Sequence, residues 1–490
     1  MFFVSQGCIP DLLKNILKDV EKFSSKKLYN ETASRSLYEY IDLNVDPCDN
    51  FYKFSCNNWI KSKKKLRGSN KSFAYNGKTS NFDYFVKGKN SFVFIDLFLE
   101  FEYGKYNNES RAVYTLYKLR ERCNEVSEDK LDDCQLIINN FGTYALSVIF
   151  LRKNKINSEN NGDYNIIEDM IKRIKEEFRL LIDEKKDIFD EETRKHFLHK
   201  LNEIELKRNL DEYNLSNVTS MEDCYDNIGI SYNDNIENIV KTIEHYKALS
   251  IKDGDDFNSC RRKIFQPDAY ISDYVYSNGL YNFDENYFFI SSDYLNEPSF
   301  SRNYPMSFNY GGIGYTIAHE ISHAFDSTNY KSMVKGGNKN KFNVTKKSIR
   351  SFNEKSDCFI KQYDKQKESI TNKNIDGVIT LDENIADNGG VKIAHRAYMK
   401  YLQSIAGKDL VVPGFEDFTN EQLFFINVGK KNCQYSSKDI LEKQIKNSEH
   451  PPGEIRVNVA LSNYKPFSSA FKCKLNSKMN PESKCELWKN

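Results

Sequence analysis

The sequence predicts a mainly α-helical chain with a small β component, an α+β arrangement in more than one lobe. Three observations predict it. Apolar residues recur at helical spacing between about 110 and 255, as in Ile166-Ile167-Glu168-Asp169-Met170-Ile171-Lys172-Arg173-Ile174. Near 260 to 270 the composition shifts to aromatic, β-prone residues, Tyr270, Tyr274 and Tyr276, then Tyr287-Phe288-Phe289-Ile290. After that, Gly311-Gly312-Ile313-Gly314 predicts a glycine-rich turn into a helix. The length of 490 residues leaves room for two or three domains. An apolar share of 39% and a charged share of 29% are those of a globular chain, not a disordered or fibrous one.

In chain order, residues 1–40 read as a helical leader, with Leu12, Leu13, Ile16, Leu17 and Val20 on one face. Pro47 to Trp59 is a compact block holding Cys48 and Cys56, and Lys61 to Arg67 reads as a basic, solvated loop. The aromatic stretch from Ser91 to Phe101 is interrupted by Asp96 and Glu100, so it reads as a buried strand or helix rather than a membrane span. Asn157 to Gly162 is a polar turn between helices, and Asp190-Glu191-Glu192-Thr193 is a helix start. Val378-Ile379-Thr380-Leu381 looks strand-like ahead of a further helix.

Charge excludes little. With 71 basic against 70 acidic residues, no global field favours nucleic acid or an anionic membrane as partner. Eleven cysteines point to an oxidising compartment, with one cysteine left over. No window of 18 apolar residues exists, so no transmembrane segment is expected in this chain. The start at Met1 lacks the cationic and apolar runs of a signal peptide, so an export signal is expected outside this sequence. Sequons at Asn30, Asn70, Asn108, Asn214, Asn217 and Asn343 permit glycosylation, at about the frequency chance gives in so Asn-rich a chain.

The strongest chemical signal is His319-Glu320-Ile321-Ser322-His323. Positions four apart lie on one helix face, so both imidazoles reach one metal ion, and Glu320 stands beside it as a general base. The bland alternative is a surface helix with two solvated histidines. About sixty residues on, Glu383 and Asp387 are also four apart, in Glu383-Asn384-Ile385-Ala386-Asp387-Asn388-Gly389-Gly390. One carboxylate can complete the metal site, and the other can accept the spare N–H of a ligating His. His450-Pro451-Pro452-Gly453-Glu454-Ile455-Arg456 reads as a loop holding an imidazole and a guanidinium toward the same cleft, for oxyanion and carbonyl binding.

These motifs together resemble the neprilysin and endothelin-converting-enzyme family of zinc endopeptidases. The resemblance extends to Asn309-Tyr310 before the glycines, to Asp46-Pro47-Cys48 through Trp59, and to Phe471-Lys472-Cys473, Met479-Asn480-Pro481, Cys485 and Trp488. It implies a thermolysin-like catalytic lobe at 268–490, a helical lobe at 91–267, and an N-terminal segment at 41–90 packed on the catalytic lobe. It also implies one Zn2+ per chain, held by His319, His323 and Glu383. Glu320 is then the base, Asp387 orients His319, and His450 stabilises the oxyanion. Asn278 and Gly279 hold the substrate backbone as an added β-strand, with Gly279 in place of the usual Ala, a change that looks mild. Arg456 binds a substrate carbonyl. The substrates implied are short peptides, cut on the amino side of large apolar residues by water activated at the metal.

The same resemblance implies the pairs Cys48–Cys473, Cys56–Cys433, Cys358–Cys485 and Cys123–Cys134. Cys8, Cys224 and Cys260 remain, their pairing open, and Cys224 with Cys260 could form an extra bridge. Ten residues lie between Cys123 and Cys134 where relatives carry a long helical stretch, so the helical lobe is shortened. Two hypotheses follow: an active peptidase with an exposed cleft, or a defective isoform that binds zinc and peptides without efficient turnover. Lys78 stands where the family has an Arg for the substrate's C-terminal carboxylate, keeping the charge but losing the bidentate fork. Lys431-Asn432 replaces an apolar pair ahead of Cys433, making that side of the pocket more polar. The implied place of work is extracellular or at the cell surface.

Overall fold

The computed structural model describes residues 32–69, 101, 103–208, 214–230, 233–252, 259–267, 275, 279–331 and 344–488. Cys8, Lys78, Asn278, the leader before Thr32 and the aromatic positions 270, 274 and 276 lie outside them. Within them the chain is mainly helical with one small sheet.

The N-terminal helices α1 (Thr32–Tyr40) and α2 (Phe51–Ser69) correct the reading of a basic loop. The lysines 61 to 65 continue α2, because Lys, Arg and Leu are good helix formers and no Gly or Pro intervenes before Gly68. Next come α3 (Arg111–Arg122), α4 (Glu128–Asn161), α5 (Asp163–Glu184) and α6 (Glu191–Glu203). The polar stretch at 157–161 is the last turn of α4 and not a loop; the chain turns at Gly162 alone, whose φ of 69° suits glycine. Asp190 caps α6 as read, accepting from the Thr193 N–H at 2.9 Å. Three further helices, α7 (Val218–Ile228), α8 (Ile236–Lys252) and α9 (Cys260–Phe265), follow the short strand β1 (Glu205–Leu206).

Strands β2 (Gly279–Asn282) and β3 (Tyr287–Ile290) complete a sheet of order β1-β3-β2, parallel between β1 and β3 and antiparallel between β2 and β3. The β2–β3 register pairs Gly279 with Ile290, and β2 lies at the sheet's edge. Beyond them α10 (Met306–Asn309) runs through a π-helical turn, Tyr310–Gly314, into α11 (Tyr315–His323). The glycines therefore do not form a turn. A Cβ on Gly311 would stand 2.3 Å from the Phe424 carbonyl oxygen, and one on Gly312 2.3 Å from that of Ser299. They are small because two backbones pass close by.

The C-terminal helices are α12 (Lys346–Tyr363), α13 (Leu381–Ser404), α14 (Asn420–Lys431), α15 (Lys438–Asn447), α16 (Gly453–Asn463) and α17 (Lys465–Ala470). The strand-like 378–380 is a turn instead, its Val378 and Ile379 N–H groups donating to Asp376 ahead of α13. Branched apolar side chains favoured a strand there, but the aspartate closes the turn locally.

Two cores form. The larger gathers α1, α2, α5, α6, the sheet and the helices from α10 to α17, with Phe178, Phe325, Tyr398, Phe424 and Trp488 buried in it. The disulfides Cys48–Cys473, Cys56–Cys433 and Cys358–Cys485 tie its distant segments, across sequence separations of 425, 377 and 127. A second core joins α3, α4, α7, α8 and α9, with the bridges Cys123–Cys134 and Cys224–Cys260. Helix α4 is long and apolar enough to cross a membrane, but 72% of its most apolar window is buried inside the fold, as in a core helix.

Candidate active site

The first two functional side chains come from α11. Its apolar face, Ile317 and Ile321, continues from Ile313 of the turn before it and is fully buried, which turns His319 and His323 toward α13. Helix α13 packs directly along α11 and presents Glu383 and Asp387 from one face, as their spacing predicts. A Cβ on Gly390 would meet the His319 backbone at 3.0 Å, so this glycine sets the close approach.

The result is a compact donor set. His319 Nε2 and His323 Nε2 lie 3.1 Å apart, Glu383 Oε2 lies 3.4 Å from the first, and Glu383 Oε1 lies 3.3 Å from the second. Tetrahedral bonds of about 2.0–2.1 Å to a zinc ion give ligand–ligand edges of about 3.3–3.4 Å. Two imidazoles and one carboxylate at those separations, largely buried, fit a zinc ion in geometry and in donor chemistry.

Each imidazole is backed by a carboxylate. His319 Nδ1 lies 3.0 Å from Asp387 Oδ1, and His323 Nδ1 lies 2.9 Å from Asp326 Oδ2. Asp326 was not anticipated; it lies three residues after His323, just past the end of α11. It also accepts from the backbone N–H groups of Thr328 and Asn329. Below this loop the buried Lys200 donates to the carbonyls of Ala324 and Asn329, its pKa brought down to about 8 by burial. Asp387, fully buried, accepts from the Tyr315 hydroxyl at 2.7 Å and from Arg456 through Nε at 2.7 Å and Nη2 at 2.6 Å.

Burial opposes charge at every one of these groups, yet their mutual attraction wins. Asp387 and Glu383 hold His319 above the usual imidazole value, and Glu383 and Asp326 do the same for His323. Glu383 is held well below the carboxylate range by the charges of His450 and His323, and Asp387 by that of Arg456.

Arg456 stands in the first turn of α16, not in the loop anticipated; Pro451 and Pro452 lead straight into that helix. Its Nη2 also reaches Glu383 Oε2 at 3.2 Å. His450, half exposed in the loop before α16, has Nε2 3.2 Å from the same oxygen. Glu320 is buried beside the donor set and lies against Gly279 of the edge strand. A methyl at 279 would stand 2.5 Å from Glu320 Oε1, the free end of a side chain, so the carboxylate packs directly on Gly279. Tyr315 was also missed, since nothing in a one-dimensional pattern pairs it with Asp387.

A buried helix pair that offers two histidines and a glutamate to one point, with a glutamate next to the first histidine, defines the metallopeptidase class of site. Residues 278–487 match the model of peptidase family M13. Neprilysin-1 of Caenorhabditis elegans is 32% identical over 323 residues, which cover 65% of this chain and 41% of that protein. The chain is thus a relative of the neprilysins and endothelin-converting enzymes, a family of zinc metallopeptidases. It spans about two fifths of the length of the curated relatives it matches. Two solved structures share the fold. The Mycobacterium tuberculosis zinc metalloprotease Zmp1 in complex with inhibitor aligns with a TM-score of 0.50 at 21% identity, over 74% of this chain and 52% of that one. A chain of the Haemonchus galactose containing glycoprotein complex aligns with a TM-score of 0.57 at 16% identity, over 94% of this chain and 99% of that one.

Proposed function

We propose that the chain is an active zinc-dependent endopeptidase of short peptides, working in an oxidising, extracellular setting. The observation that carries this reading is the donor set of His319, His323 and Glu383 at tetrahedral edge lengths, with Glu320 beside it. One zinc ion held by those three residues would supply Lewis acidity to a water molecule and to the scissile carbonyl.

The remaining work belongs to the chain's own groups. Glu320 takes the proton of the attacking water and passes it to the leaving amine. Asp326 accepts from the Nδ1–H of His323 and Asp387 stands 3.0 Å from His319 Nδ1, which keeps each Nε2 lone pair toward the metal position. His450 donates to the oxyanion as the carbonyl becomes tetrahedral; a donor of this kind accounts for about 10²–10³ in rate. Two nitrogens of Arg456 are taken by Asp387 and Glu383, leaving Nη1 for a substrate carbonyl. Gly279, with Asn278 just before it, holds the substrate backbone along the open edge of β2, and Lys78 receives a C-terminal carboxylate less tightly than an Arg would. By family pattern the bond cut precedes a large apolar residue. Five disulfides support the oxidising setting.

The test is Glu320→Gln. Zinc content by metal analysis should equal the parent's, while hydrolysis of a quenched peptide falls at least a hundredfold. Equal hydrolysis by parent and variant would overturn the assignment.

A further inference from the structure

Lys200, on α6, is buried, and its ammonium donates to two carbonyls, that of Ala324 at 2.7 Å and that of Asn329 at 2.8 Å. Ala324 directly follows His323 and ends α11. The last carbonyls of a helix have no partner within it, and the helix dipole favours a cation there. The ammonium also lies 5.6 Å from the ring centroid of Phe325 and 6.0 Å from that of Tyr281.

The two carbonyls stand at the ends of one loop, 324–329. Between them lies Asp326, which accepts from the Thr328 N–H at 3.1 Å, the Asn329 N–H at 2.7 Å and the Asn329 side-chain amide at 3.2 Å. The same carboxylate lies 2.9 Å from His323 Nδ1. Asp382, just before Glu383, accepts from the Ser327 and Thr328 hydroxyls and so holds the middle of the loop. Lys200 draws the two ends together. Its backbone carbonyl in turn accepts from Asn286 Nδ2 at 3.2 Å, and Asn286 Oδ1 accepts from the Tyr281 hydroxyl at 2.7 Å. Tyr281 lies in β2, two residues from Gly279. One lysine therefore joins the end of the histidine-bearing helix to the edge strand.

We infer that Lys200 is a positioning residue of the metal centre: by fixing both ends of the 324–329 loop it holds Asp326 on His323, and so sets zinc affinity. The inference rests on the metallopeptidase reading and deepens it, since it places a determinant of the site on α6, outside the two helices that carry the ligands. Without the ammonium, two buried carbonyls lose their donor, and the loop must shift to satisfy them.

Lys200→Met removes the charge and keeps the bulk of the side chain. Chelator titration of the full-length parent, Lys200→Met, Asp326→Asn and the double variant measures zinc affinity, each well below its melting temperature so that unfolding does not enter. Lys200→Met should bind zinc about tenfold more weakly, the low end of what loss of a ligand's own partner costs. The double variant should match Asp326→Asn within about twofold, because both changes act on one contact. A lower melting temperature with zinc affinity within about twofold of the parent's is a structural role alone and overturns the inference. Losses that multiply in the double variant overturn it as well. Should Lys200→Met fail to fold, Lys200→Gln, which keeps a donor for one carbonyl, takes its place. Zinc should then weaken about threefold, the effect of one hydrogen bond, again without adding to Asp326→Asn. A parent that binds zinc but cleaves no peptide fails the peptidase reading instead, and the zinc comparison still decides the role of Lys200.

Discussion

Asp387→Asn removes one negative charge from a fully buried carboxylate that serves three partners at once. Arg456 loses the partner that takes two of its nitrogens, at 2.7 and 2.6 Å, and keeps Glu383 at 3.2 Å. Breaking a buried pair by deleting one charge costs about 3–5 kcal/mol, because the other charge stays buried. With an unfolding entropy of about 2.1 cal/mol/K per residue, a chain of this length melting as one unit should lose about 3–5 °C. His319 loses the acceptor 3.0 Å from its Nδ1, and loss of such a partner weakens zinc binding about 10–100-fold. Calorimetry and a chelator titration measure the two effects separately. Tyr315→Phe is the control: it deletes only the hydroxyl donor, worth about 0.5–1.5 kcal/mol, and should leave zinc affinity within about threefold. Asp387→Asn melting within 1 °C of the parent, with the same zinc affinity, would refute the reasoning.

Asp326→Asn should weaken zinc by about 10–100-fold through His323, measured by the same chelator titration, with a smaller loss of stability because Asp326 carries no buried Arg. Replacing Cys56 and Cys433 by Ser should cost about 2–5 kcal/mol, read as a lower melting temperature that reductant no longer shifts at that bridge. Lys430 is buried against Tyr40 and Phe308 beside the Ser36 hydroxyl, and burial brings its pKa down to about 7. Between pH 7 and the ordinary lysine value the unfolded chain binds more protons here, so this group makes stability rise with pH across that window. Lys430→Met should flatten the rise in a series of melts from pH 7 to 10.

The legible part of this protein is what local periodicity carries. His319 with His323 and Glu383 with Asp387 are four apart because a helix repeats every 3.6 residues, and both pairs sit on helices as read. Four of the five bridges were legible only through resemblance, and Cys224–Cys260 only as one pairing of the cysteines left over, since cysteine spacing does not choose partners across hundreds of residues. What was misread is what tertiary contact decides. Gly311 and Gly312 signalled a turn by type, but their smallness answers the carbonyls of Phe424 and Ser299, far off in one case and invisible to any window. Lys61 to Arg67 looked like a loop by charge, yet charge alone does not end a helix.

The division into two cores bears on what the segment between Cys123 and Cys134, with a sequence separation of 11, can change. That bridge belongs to the second core, with α3 and α4. The histidines, the acidic pair of α13 and Arg456 of α16 all hang on helices of the larger core, which three of its own disulfides close. Construction of the metal site therefore does not depend on the length of the second core. Contact between the two runs along α5 and at the 292–295 turn, where α4 packs and Asn154 donates to the Ser292 carbonyl at 3.4 Å. Tyr294, whose ring centroid lies 5.3 Å from the Lys431 ammonium, stands in that same turn, which begins two residues past β3, the partner of the edge strand. Variation in the helical lobe can thus reach substrate choice through this turn while leaving the chemistry of His319, Glu320 and His323 intact. Replacing Cys224 and Cys260 by Ser, a bridge confined to the second core, should accordingly change the relative rates at which different peptides are cleaved more than it changes zinc content.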